Sequence, residues 1–427
     1  MAQKGSSMSF FTALTGLNAA QTELSTISNN IANAATNGFK KSRVAFGDII
    51  TASPLQDPSR IVGSGTSVRS IAQQFSQGAI ATSDSALDLA ISGQGFFAVK
   101  SPGGDGQVAF TRSGAFSVTA DRYVVDGDGR RVQVYPTTPD GSVLTNALGS
   151  TQNLKLPLTS GAPLATSAIK LAVNLSSTAP VTTAAFNAND STTYSSATSI
   201  TLYDSLGNPM AATVYYAKTA LPTVADPLNH WKAHVVIGAT ELQVSGTAGF
   251  NLSFDSTGTL TSPTTPTAFD SFTPATGGNA MSLTLDHGTA TTQQAGPFAV
   301  ISATQDGYTT GRLASVAVDG DGTVRTSFTN GIVQILGKIA VAQFSNPQGL
   351  KQIGNATYVS TPEAGAPVTG EAGTNGLGGI LSGSIEKSNV DLTEELVALI
   401  VAQRNFQANA KTIDTTSTLL STIINIR

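Results

Sequence analysis

Two histidines four residues apart, His230 and His234, have a spacing that could seat a metal ion on one face of a helix. They lie in NHWKAHVVIG, where the apolar residues Trp231, Ala233, Val235 and Ile237 alternate. Alternation is the period of a strand, so both histidines are expected on the polar face of one. Two VDGDG segments invite a calcium reading. An EF-hand loop needs a Glu at its twelfth position, but Thr137 stands there counted from Asp126, and Asn330 counted from Asp319. Tight hairpin turns are expected for both segments. Gly93-Gln94-Gly95 has Ala98 in its third glycine position and precedes a strand pattern, so it cannot form a phosphate cradle at a helix start. No serine sits in a GxSxG context, and the chain contains no Cys, which removes disulfides, thiolate metal sites and cysteine nucleophiles. No catalytic, cofactor-binding or metal-ligating residue is therefore assigned, and no cofactor is expected.

The elements that would carry chemistry point elsewhere. In 427 residues there are 23 Lys plus Arg and 27 Asp plus Glu, a charged fraction of 12%, about half that of ordinary soluble proteins. So little positive charge offers no footprint for nucleic acid or an acidic membrane. No run approaches the ~18 apolar residues of a membrane span, and the N-terminus lacks the apolar core of a cleaved signal peptide. Hydrophobic residues still make up 40% of the chain, with 42 Gly and abundant Ser, Thr and Ala. That mixture suits extended β structure joined by Gly, Asn and Asp turns.

The two ends break the β pattern. Phe10, Leu17, Leu24 and Ile31 lie seven apart, with Ala13, Ala20, Ile27 and Ala34 three after each. Asn37-Gly38 then stops the helix. At the other end Leu392, Leu399, Phe406, Ile413 and Leu420 keep strict seven-residue spacing, with Leu396, Ala410 and Ile424 in a companion row. One helix over 391–425 is predicted, with Asp391, Glu394 and Glu395 at its positive end. Between these ends the period is two. The expected fold is mixed and mainly β: terminal α-helices over 1–40 and 385–427 forming a coiled-coil layer, an irregular connector over 41–75 containing Pro54 and Pro58, a discontinuous middle β domain over 76–152 and 290–384, and an inserted outer β domain over 153–289. No Arg occurs between Arg131 and Arg312, which marks the insertion by composition.

The N-terminal helix carries one charge, Glu23, between Ser6 and Gly38. A helix facing water normally carries Lys and Glu, so its uncharged polar surface points to burial against other chains. Ordering ~25 residues costs ~25–50 kcal/mol of backbone entropy, while burying four large side chains returns ~6–12 kcal/mol. A single seam cannot hold such a rod, and both terminal rods are expected to be frayed in the monomer and to order only when many copies pack together.

The segment ALTGLNAAQTELSTISNNIANAATNGFKKSRVAF resembles the N-terminal signature of the bacterial flagellar axial proteins of rod and hook. LTEELVALIVAQRNFQANAKTIDTTSTLLSTIINIR resembles their shared C-terminal segment, and LAISGQGFFAV, FTRSGAFSV and YVVDGDG their common β domain. ITLYDSLGNPM and the length of the insertion favour the hook members, with the distal rod members as the alternative within the family. The resemblance implies a non-enzymatic structural subunit that forms a homopolymer, a curved and flexible tube passing motor torque to the filament. It implies an assembly seam through Leu17, Leu24, Ile31, Leu392, Leu399, Phe406, Ile413 and Leu420. Implied partners are the distal rod, hook cap and hook–filament junction proteins and the export apparatus, with no nucleic acid and no membrane insertion. The implied location is extracellular, in the flagellum, reached by export without a cleaved signal. Phe10 and Leu14 match the F-x-x-x-hydrophobic pattern of export-gate docking, although seam packing explains Phe10 equally well. Family chains commonly begin near Met8, so residues 1–7 read as an extension. A secreted β-rich adhesin would share the composition but would fold completely as a monomer. A polysaccharide-degrading enzyme would need two essential carboxylates, and nothing marks a pair.

Overall fold

A computed structural model describes residues 2–50, 63–103 and 107–425; the side chains of 2–9, 420 and 423–425 lie outside the described set. Pro54, Pro58 and the side chains of Leu420 and Ile424 therefore fall outside it as well.

Helix α1 runs Ala2–Ala32 and helix α2 runs Leu392–Asn425. Asp391 caps α2: its Oδ1 accepts from the backbone N–H of Thr393 at 2.8 Å and of Glu394 at 3.2 Å. Those bonds satisfy donors that no helical carbonyl can reach. Beyond α1 the chain tightens through Asn33 and Ala34 and turns at Gly38, whose φ is +70°. A left-handed turn there costs little because glycine has no Cβ. The helices pack along each other and run antiparallel. Asn30 meets Glu395 near one end, and near the other a Cβ on Gly16 would fall 2.7 Å from Oδ1 of Asn409.

Residues 41–75 are not an irregular connector throughout. Strand β1 (Ser42–Asp48) and strand β2 (Thr66–Gln73) pair antiparallel, from Ser42 opposite Gln73 to Asp48 opposite Thr66, and this ribbon packs on α1. Val44, Phe46, Val68 and Ile71 supply its apolar positions. Because the two runs are short and ~20 residues apart, their periodicity is weak in sequence.

Two compact units follow. The first comprises residues 1–157, 314–327 and 333–427; the second comprises 158–313 and 328–332. In the first, the pairs β3 (Ile80–Thr82) with Ser384–Glu386 and β4 (Leu89–Ser92) with Gly379–Ser382 flank a larger sheet. Its centre is β5 (Phe96–Lys100) beside β6 (Val108–Thr111) and Arg131–Tyr135. Phe96, Phe110, Tyr135, Phe344 and Tyr358 bury their rings there, with Phe110 and Phe344 edge to face at 4.9 Å.

The second unit pairs Ser196–Tyr203, Pro209–Ala220, Asn229–Ile237 and Phe250–Phe254 in order, all antiparallel. A second sheet centres on Ala168–Ser176. Its core holds Trp231, Tyr216, Leu252 and Phe254, each fully buried. The insertion is longer than the expected 153–289. Ala168–Ser176 pairs with Thr292–Gln294 and with Ala299–Gln305, so this stretch of the unit runs on to residue 313, and 328–332 returns to it. Such pairing joins residues more than 100 apart and leaves no local signal.

Candidate assembly surface

The residues that first suggested chemistry are all engaged in structure. His230 bonds Asp226 Oδ2 at 2.8 Å and Ser253 Oγ at 3.1 Å. His234 bonds Glu241 Oε1 and stacks on Phe186 with ring centroids 4.1 Å apart. The segment is a strand whose Trp231, Ala233, Val235 and Ile237 enter the core while both histidines lie on the other face, where an aromatic cluster with Phe186, Tyr194 and Tyr215 buries His234. In the first VDGDG turn Asp126 Oδ1 accepts from the N–H groups of Asp128 and Arg130, and the Arg130 guanidinium pairs with both carboxylates. In the second, Asp319 pairs with Arg325 and Asp321 with Lys338. The carboxylates of both turns are thus paired with the chain's own cations. Among the described residues no group of three or more His, Asp or Glu is placed to hold a metal ion.

The YDSLGN motif acquires a structural role. Asp204 is fully buried; Oδ1 accepts from the N–H groups of Leu206 and Asn208, and Oδ2 from Asn208 Nδ2 and Thr276 Oγ1. Burial alone would raise its pKa, but these donors favour the charged carboxylate and pull it down to about 2. Burial pushes His287 down to about 4, with its Nε2 3.0 Å from the Tyr216 hydroxyl.

The helical pair presents the other surface. On α1 the row Ala13, Ala20 and Ile27 is buried, whereas Leu17, Leu24 and Ile31 are half-buried. On α2 Leu399, Phe406 and Ile413 are half-buried, and Glu395, Ala402 and Thr416 are buried. The buried companion row of α2 is therefore Glu395, Ala402 and Thr416, one position before the expected Leu396 row. Close approach of two helices admits small residues, and Glu395 is tolerated because Asn30 Nδ2 donates to it at 3.2 Å. Asn30 also bonds both the N–H and C=O of Ser42, tying the ribbon to the same contact.

Other large apolar residues of α2 are left uncovered by α1. Leu392, Leu396 and Ile400 are 50% exposed, Val397 59% and Val401 51%. Leu392 thus stands outside the contact between the two helices of one chain. Five large apolar side chains on two adjacent helical rows form a patch that water disfavours. Phe10 and Leu14 are half-buried on α1, and Phe11 is 61% exposed. Among the described residues no helix is long and apolar enough to cross a membrane.

Four family models match the chain in order. They are "Flagella basal body rod protein" over residues 10–40, "Flagellar hook protein FlgE/F/G D1 domain" over 90–170, "Flagellar basal body protein FlaE D2 domain" over 174–308, and "Flagellar basal body rod FlgEFG protein C-terminal" over 381–426. The flagellar hook protein FlgE of Escherichia coli K12 is 35% identical over 98% of this chain and 100% of its own length. That of Salmonella typhimurium LT2 is 34% identical over 98% and 100%, and that of Borreliella burgdorferi 34% over 98% and 99%. The crystal structure of Helicobacter pylori flagellar hook protein FlgE2 is 15% identical, with a TM-score of 0.48 over 70% of this chain and 98% of that one. Identity of 34–35% with several hook proteins over 98% of the chain, with rod and hook models matched in order along it, places this chain in the flagellar hook protein family.

Proposed function

We propose that copies of this chain polymerise into the tube of a flagellar hook, joined through the face of α2 that α1 leaves uncovered. The observation that carries this reading is the exposed patch of Leu392, Leu396, Val397, Ile400 and Val401 on a chain otherwise poor in exposed charge. A second copy's helical pair is the occupant that matches it: long, uncharged on most faces, and available at equal concentration. Isologous or helical packing of such rods buries the apolar rows and supplies the order that one seam lacks.

Residues 10–33 and 392–419 would form the inner layer, through Leu17, Leu24, Ile31, Leu399, Phe406 and Ile413 as well as the outward patch, with Leu420 continuing its row. The first unit's sheet would form the middle layer and residues 158–313 the outer one. Contacts rich in Thr, Ser and Ala shift register cheaply because no aromatic anchor or desolvated ion pair must break. That is the requirement of a curved tube whose strands lengthen and shorten each turn while torque passes along it. Distal rod, hook cap and junction proteins would meet the tube at its ends. Export would proceed through the flagellar apparatus to the cell exterior, with Phe10 and Leu14 docking at its gate.

Electron microscopy of the concentrated full-length chain tests the reading. Hollow curved tubes are expected; a chain that stays monomeric at every concentration and salt condition would overturn it.

A further inference from the structure

Three chain crossings converge where the helical pair and its ribbon meet the β strands of the first unit: 38–42 after α1, 74–79 before β3, and 384–389 before α2. One side chain of the third crossing, that of Glu386, bonds the other two. Glu386 is fully buried, and its Oε1 accepts from Lys40 Nζ at 2.6 Å and from the N–H of Gly78 at 2.8 Å. Its Oε2 accepts from Arg112 Nη1 at 3.2 Å, and its backbone carbonyl accepts from the N–H of Gly38 at 2.8 Å. Lys40 Nζ also reaches the Ser76 carbonyl at 2.7 Å, and Arg112 Nη2 the Gly93 carbonyl at 2.9 Å. The cluster is sealed from water, with two cations on one carboxylate. Asn389 adds a neutral bond on the helix side, accepting from Lys41 N–H at 2.8 Å and donating to the Gln74 carbonyl at 2.7 Å.

The charges are unequal in importance. Removing Lys40 or Arg112 leaves one cation with one carboxylate, a neutral buried pair. Removing the negative charge of Glu386 leaves two buried cations facing each other with no counter-charge, the costlier outcome in a low-dielectric site. Glu386 also lies on the two-stranded pair with β3, opposite Ile80, so its backbone is held by that pair while its carboxylate holds the crossings and, through Arg112 after β6, reaches the larger sheet.

We propose that Glu386 is the positioning residue that clamps the helical pair to the sheet, locking three chain crossings with a single carboxylate. A clamp within one folded chain operates whether or not copies assemble. In a tube it would lie on the path by which load passes between helices and sheet.

Amide hydrogen exchange on the full chain tests the clamp. In Glu386→Gln, protection at Gly38, Gly78 and Lys387 is expected to fall at least ~10-fold, while β5 and β6 keep wild-type protection. Lys40→Met, which keeps the Glu386–Arg112 pair, is expected to release 38–42 and 76–78 by a smaller factor. Unchanged exchange at the crossings overturns the proposal, and so does an equal loss in β5 and β6, which would make Glu386 a residue of general stability only. If Glu386→Gln does not fold, Lys40→Met carries the same test: exchange at 38–42 and 76–78 no faster than wild type, or an equal loss in β5 and β6, overturns the clamp.

Discussion

Substituting Leu396→Gln together with Ile400→Gln separates contacts within the chain from contacts between copies. Both side chains are 50% exposed on the face of α2 turned away from α1. Full burial of a Leu or Ile side chain contributes roughly 1.5–3 kcal/mol, so the remaining half is worth roughly 0.75–1.5 kcal/mol at each position. The pair should then weaken each intermolecular contact by about 1.5–3 kcal/mol, raising the critical concentration for polymerisation roughly 10- to 150-fold. A glutamine amide buried without a partner adds to the loss, so these figures are a lower bound. Sedimentation across a concentration series gives the critical concentration. Trp231, fully buried in the second unit, reports by fluorescence that folding of that unit is unchanged. A double variant that polymerises at the wild-type concentration would refute the assignment of this face to contacts between copies.

In NMR titration His287 should change protonation near pH 4 rather than near 6.5, because burial disfavours its charged form. The unfolded chain takes up that proton first, so stability of the second unit should fall as pH drops from 6.5 to 4, and His287→Phe should flatten that part of a urea-midpoint profile. Gly38→Ala should lower the thermal midpoint by several degrees: its φ of +70° costs a side-chain-bearing residue ~1–3 kcal/mol, and the added Cβ would fall 2.5 Å from the Ser113 nitrogen. An unchanged midpoint would contradict the strain. Phe10→Ala with Leu14→Ala should reduce the amount of chain secreted by the flagellar export route; full secretion would leave Phe10 with a packing role alone.

The two helices were legible because their signal is local. Seven-residue spacing marks them, and Asp391 marks the start of α2 where the structure shows it, whereas α1 ends at Ala32, ahead of the turn at Gly38. The facing of α2 was not legible. Its buried row contains Glu395, Ala402 and Thr416, which an apolar pattern passes over in favour of Leu396 and Ile424. Close packing selects size, and Asn30 makes the carboxylate acceptable, a fact that lies 365 residues away in sequence. The same limit hid the β1–β2 ribbon and the true end of the insertion, both of which depend on pairing between distant segments. Glu386 carried no sequence signal at all. It sits alone in GSIEKSN, and only the folded chain brings Lys40 and Arg112 to it. The VDGDG turns were legible as hairpins because Asp-Gly pairs carry their own geometry.

The most direct measurement uses the absence of cysteine: Ile400→Cys introduces the chain's only thiol, on the uncovered face of α2. Its reaction with a small maleimide should be fast in the free chain and at least ~10-fold slower in assembled tubes. Equal rates in the two states would mean that no neighbouring copy covers this face, and the proposed mode of assembly would be wrong.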